Sequence, residues 1–269
     1  MTLAGAGTTH ATAETMFVEA AGIEFAYRRF GSPAGTPVVM LQHFRGNLDN
    51  WDPALTDALA AKREVILVDY PGVGLSTGEP GDTIASTARR MIAFLSALEF
   101  AEIDLLGFSI GGFVAQEIAL VRPTLVRRLI LAATGPKGAP GMHGWRDDIA
   151  AAARGESKPE NLLYIMFAHT EARQAKGMDF LGRFMERQEG RDAPTSDAAR
   201  DAQYDAIVEW GIPDHAALQR LTGIKSRTLI IQGDGDLMIP TKLSHLMAGL
   251  IPDTRIRIYP DAAHGFLFQ

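Results

Sequence analysis

The 269 residues are 46% hydrophobic and 22% charged, the proportions of an ordinary folded chain and not of a disordered or low-complexity one. A chain of this length buries enough apolar surface to need no covalent staple, and the absence of cysteine excludes disulfides, a thiol nucleophile and Cys-ligated metal centres. The net charge of -6 opposes a broad electrostatic footprint for nucleic acid, so a small molecule is the expected partner.

From the start, Met1 to Met16 has neither a basic leader nor a continuous apolar stretch, and no later segment offers about twenty uninterrupted apolar residues. The expectation is a cytoplasmic protein with no membrane contact, residues 1–16 forming a flexible arm of small and polar residues. Phe17 to Phe30, broken by Gly22 and closed by Gly31 and Pro33, reads as a β-hairpin at a sheet edge. Continuous apolar runs then recur at Val38 to Leu41, Val65 to Val68, Ile103 to Leu106, Leu129 to Ala133 and Leu229 to Ile231. Such runs mark strands covered on both faces, as in a parallel sheet.

Between these runs, residues 53–62, 83–98 and 110–121 are helical in pattern. The last places Ile110, Phe113, Val114, Ile118 and Val121 on one face. Strands alternating with helices predict an α/β fold, a mostly parallel central sheet flanked by helices. From Gly135 to about Ile212 the alternation stops and the composition becomes helical. Residues 135–212 are therefore expected to form an inserted helical lid on a core of residues 17–134 and 213–269. Within the lid Trp145, Phe167 and Phe184 are candidate pocket residues, as is Phe108 in the core. Arg255 to Ile258 alternates and predicts a terminal strand near an edge.

The chemistry concentrates at three places. Gly107-Phe108-Ser109-Ile110-Gly111 follows a buried strand and opens an amphipathic helix, the setting of a G-x-S-x-G nucleophile bend with Ser109 exposed at its tip. A serine hydroxyl needs a base near neutral pH, and His264, in the loop after the terminal strand, is the candidate. Asp236, after the strand at Leu229, is the preferred acid to orient that imidazole, with Asp234 as its competitor. The seven histidines show no ligand spacing, so no metal is expected.

On these motifs, together with His43 after the first buried strand and Asp69-Tyr70-Pro71-Gly72-Val73-Gly74-Leu75-Ser76 after the second, the chain resembles the α/β-hydrolase superfamily. The nearest branch is that of lidded esterases, lactonases and cofactor-free haloperoxidases, and the likeness covers roughly residues 17–269. It implies the chain order Ser109, Asp236, His264 and no cofactor. It also implies an oxyanion hole built from the backbone N–H of Ile110 and a second N–H after His43. There Phe44 stands where the family has glycine and Arg45 where it has its donor, so Arg45 is the first choice and Phe44 the second. His43 is expected to hold this loop by hydrogen bonds.

Members of the family usually continue past the histidine loop into a helix, whereas five residues follow His264 here; apolar surface left open there would favour a homo-oligomer. The expected activity is hydrolysis of a small carboxylic ester or lactone through an acyl-enzyme. The alternatives are perhydrolase, haloperoxidase-like or hydroxynitrile lyase chemistry at the same site, and a non-catalytic small-ligand receptor on the same fold.

Overall fold

The computed structural model describes residues 7–269. One eight-stranded sheet runs through the molecule in the order β1-β2-β4-β3-β5-β6-β7-β8. Its strands are β1 (Thr15–Ala20), β2 (Ile23–Gly31), β3 (Val38–Leu41), β4 (Glu64–Val68), β5 (Ile103–Phe108), β6 (Val126–Ala132), β7 (Arg227–Gly233) and β8 (Thr254–Tyr259). The first two form the expected hairpin, with Ala20 opposite Ile23 and both linking residues, Ala21 and Gly22, at positive φ. A two-residue link of that kind follows the natural twist of paired strands. β2 meets β4 antiparallel, and every later pairing is parallel.

The apolar runs are strands because both of their faces are covered. All residues of β3 and β4 are buried, and successive side chains divide between two clusters. Val39, Leu41, Ile66, Val68 and Leu105 join one; Val38, Met40, Val65, Leu67 and Leu106 join the other. Helices α1 (Pro53–Ala60), α2 (Ile84–Ala97) and α3 (Ile110–Val121) link the strands up to β6. α1 starts where Asp52 accepts from the Ala54 N–H at 2.9 Å with Pro53 in its first turn, and α2 where Thr83 caps Ser86 at 3.1 Å. α3 is buried from Ile110 to Ala119, under the centre of the sheet.

Between β6 and β7 lie α4 (Asp147–Arg154), α5 (Pro159–Met166), α6 (Glu171–Phe184), α7 (Asp197–Trp210) and α8 (His215–Gln219), with no strand among them. This is the helical insertion, and it meets the core through specific contacts. Trp210 stacks on Phe113 at 5.2 Å and donates its indole N–H to Gly135 O at 3.2 Å. Arg183 forms a two-pronged pair with Asp52, at 2.8 and 2.6 Å. α9 (Lys242–Leu250) then connects β7 to β8, where Ile256 stays exposed.

Residues 10–16 differ from the expected flexible arm, with Thr15 and Met16 already in β1, while residues 1–6 of that expectation lie outside the described residues. His10 and Ala13 are buried. The His10 N–H donates to Asp57 at 2.7 Å, and the Arg187 guanidinium from the insertion donates to the carbonyls of Ala11 and Ala13 at 3.1 and 2.8 Å. Local bonds from the Thr12 and Ala13 N–H groups to Thr9 O shape this segment, and a distant arginine fastens it to the rest of the molecule.

Candidate active site

The strand ends dictate the site. β5 runs out at Phe108, and α3 begins at Ile110, so Ser109 alone makes the turn, at φ 56° and ψ -121°. A residue with a side chain holds such a conformation at a cost of about 1–3 kcal/mol, and only when its surroundings fix it. Here the Ser109 N–H donates to Ala132 O at 2.9 Å, and its carbonyl accepts from Thr134 Oγ1 at 2.8 Å. The flanking glycines are required by space. A Cβ on Gly107 would collide with the Gly111 carbonyl, and one on Gly111 with the carbonyl of Leu41.

His264 stands in the loop after β8 and is 1% exposed. Its Nδ1 lies 2.7 Å from Asp236 Oδ2. That carboxylate also accepts from Gln232 Nε2 at 2.7 Å and, through Oδ1, from the N–H groups of Met238 and Ile239 at 2.8 and 3.0 Å. With Nδ1–H committed to the acid, Nε2 is left as the acceptor. Asp234, the competing acid, is exposed and serves the loop instead, its Oδ1 accepting from the Ala262 N–H at 3.3 Å. Gln232 was not anticipated; a polar residue closing the run Leu229–Ile231 is its only mark in the sequence.

Ser109 and His264 line one cavity of about 290 Å³. His43, Phe44 and Arg45 form its wall at the end of β3, and Leu162, Ile165, Phe180, Leu181, Phe184 and Met238 supply an apolar side. Arg45, Glu156, Lys158 and Asn161 give it a polar rim. Of the expected pocket residues, Phe184 lines this cavity. Phe108 and Phe167 do not: both are fully buried, Phe108 between the rings of His264 and Phe268 and Phe167 against Phe180. Trp145 packs on Phe44 at 5.3 Å and borders a much smaller cavity that also reaches Ser109.

The loop after His43 corrects the expected donor. The Arg45 N–H is already taken by Gln203 Oε1 at 2.8 Å. The N–H groups of Gly46, Asn47 and Leu48 are likewise bonded. Among the described residues the Phe44 N–H has no partner, and neither does that of Ile110 at the head of α3. These two N–H groups are left free to donate to a bound oxygen, with the α3 dipole behind one of them. His43 holds the loop as expected, Nδ1–H donating to Phe44 O at 2.8 Å. Burial, assisted by the neighbouring His264, pushes its imidazole down to about 4, so it stays neutral.

Among the described residues no group of three or more His, Asp or Glu side chains is placed to hold a metal ion, and no helix is long and apolar enough to cross a membrane.

A mostly parallel sheet with a strained serine between strand and helix, and an Asp–His pair delivered from the last two strands, defines a class. The family model for the alpha/beta hydrolase fold matches residues 36–269, and the chain belongs to that family. It is 38% identical to an alpha/beta hydrolase fold protein from Chitinophaga pinensis, with a TM-score of 0.92 over 97% of this chain and 94% of the other. A hydrolase from Pseudomonas aeruginosa PA01 shares 27% identity and a TM-score of 0.70, over 93% and 91% of the two chains. Among curated proteins it is 29% identical, over 96% of its length, to the dihydrolipoyllysine-residue acetyltransferase component of the acetoin cleaving system of Cupriavidus necator. The match spans 66% of that protein.

Proposed function

We propose that the protein is a serine hydrolase that cleaves a small carboxylic ester or lactone through an acyl-enzyme. The observation that carries this reading is that Ser109, at its strained bend, and His264, tied at 2.7 Å to Asp236, face a common cavity. Ser109 Oγ attacks the carbonyl carbon while Nε2 of His264 takes its proton. The N–H groups of Ile110 and Phe44 hold the oxyanion. The carbon–oxygen bond to the alcohol then breaks, and the imidazolium returns the proton to the departing alkoxide. Water repeats the sequence on the acyl-serine, releasing the acid and restoring the hydroxyl. Asp236 keeps the imidazole in one tautomer and stabilises its charged form.

The apolar wall from α5 and α6 suits an aliphatic or aromatic acyl group, and the rim suits a more polar alcohol portion. The experiment is fluorophosphonate labelling of the purified chain beside turnover of p-nitrophenyl acetate, butyrate and octanoate and of simple lactones, with and without peroxide. Rapid labelling and ester turnover that both vanish in Ser109→Ala are expected. An unreactive, folded wild-type protein favours a ligand receptor, and turnover that survives Ser109→Ala overturns the assignment.

A further inference from the structure

The loop that carries the Phe44 N–H is held from outside the sheet. Arg45 sits at φ 62°, in the left-handed region that a residue with a side chain occupies only under constraint. Its guanidinium donates to the carbonyls of Ala153 and Gly155 at 3.1 and 2.8 Å, and its backbone is constrained by the segment leading into α7 and by α7 itself. Thr195 Oγ1 donates to Arg45 O at 2.7 Å, and the Arg45 N–H donates to Gln203 Oε1 at 2.8 Å, so both sides of this residue's backbone are clamped. Three more bonds tie the same stretches together. Asn47 Nδ2 donates to Ala193 O at 2.9 Å, the Leu48 N–H to Asp192 Oδ2 at 3.1 Å, and the Asp192 N–H to Asp49 Oδ2 at 2.7 Å. The partners are about 150 residues apart in sequence. A peptide so fixed leaves the preceding N–H, that of Phe44, as the loop's free donor.

We propose that Gln203 and Thr195 are positioning residues for the oxyanion hole: they hold Arg45 left-handed and thereby aim the Phe44 N–H at the substrate carbonyl. The inference rests on the serine-hydrolase reading and extends it. The insertion then does more than roof the cavity; one of its helices completes the catalytic geometry. A misdirected donor harms the transition state more than the ground state, because the oxyanion exists only in the former.

The test compares Gln203→Met, which keeps the length and loses the acceptor, with Gln203→Glu, which keeps an acceptor for the Arg45 N–H. In Gln203→Met, kcat for an ester is expected to fall about ten- to hundredfold with KM within about twofold, short of the loss seen when a hole donor is removed outright. Inhibition by a trifluoromethyl ketone, whose serine adduct carries the oxyanion, weakens by the same factor, and Gln203→Glu recovers most of the lost kcat. A residue that merely secured the insertion would raise KM and leave kcat in place. Wild-type kcat in Gln203→Met, or equal impairment of the Met and Glu variants, overturns the proposal. Should Gln203→Met fail to fold, Thr195→Val removes the other clamp, and an unchanged kcat there is equally fatal. Serine-dependent labelling of the wild type is read separately, so failure of this inference is distinct from failure of the hydrolase reading.

Discussion

The sheet with its covering helices and the helical insertion differ in how much of themselves they bury. α3 is buried along nearly its whole length, whereas α4 and α6 bury only two residues each. The core is fixed by area removed from water, which is strong and without direction. The insertion lends fewer apolar side chains to the same two clusters, Ile149, Ile165, Ile207 and Phe180 among them, and adds directed contacts: the Trp210 stack, the Arg183–Asp52 pair, Arg187 on the first residues, and the clamp at Arg45. The first kind of bonding gives a platform that holds Ser109, Asp236 and His264 in place. The second gives a cover whose cavity-facing residues Leu181 and Phe184 stay half-buried.

The largest effect that would sharpen this contrast is at the platform's strand ends. His264→Ala is expected to lower ester turnover by roughly three orders of magnitude or more, and Asp236→Asn by a comparable amount, with near-wild-type unfolding curves. Asp234→Asn should lose far less; the reverse order of the two aspartates would move the orienting acid.

Packing comes next. Phe94 is fully buried against Phe25 and Tyr27 at 5.4 and 5.6 Å, so Phe94→Ala should cost about 3–5 kcal/mol in denaturant unfolding. Leu181→Ala, in the half-buried cavity wall, should cost about 1 kcal/mol or less while changing the ranking of acetate, butyrate and octanoate esters. Equal destabilisation by the two would erase the distinction between platform and cover.

The smallest effect is a slope. Burial holds His10, like His43, down at about 4. A histidine neutral in the folded chain but ordinary when unfolded contributes stability that is present above about 6.5 and lost as the pH falls toward 4, by about 1.4 kcal/mol per pH unit for each residue. The difference between wild type and His10→Gln in urea midpoint should therefore shrink on acidification through that window. A constant difference would show that His10 takes up its proton without cost.

Much of the core was legible in the sequence because each strand carries its evidence locally. The run Val38–Leu41 coincides with β3 to the residue. β6 begins three residues before its apolar run and β7 two, since Arg127, Arg128 and Arg227 hide those starts; Arg127 is there to pair with Asp104, at 2.8 and 2.7 Å. The placement of Ser109, Asp236 and His264 together in the candidate site was legible because each lies in a loop shortly after a recognisable strand, β5, β7 or β8. The choice between Phe44 and Arg45 was not, because the deciding atom is a side-chain oxygen on Gln203. Nor were Phe108 and Phe167 separable from Phe184, since aromatic content says nothing about which way a ring points. The docking of residues 10–14 depended on Arg187, equally remote.

The order of the sheet has a consequence for how the candidate site is assembled. Ser109 follows β5, whereas Asp236 and His264 follow β7 and β8, and the whole insertion is threaded between them. Contacts so far apart along the chain are slow to close during folding. The candidate site is therefore complete only once β8 lies beside β7, however early the bend at Ser109 forms.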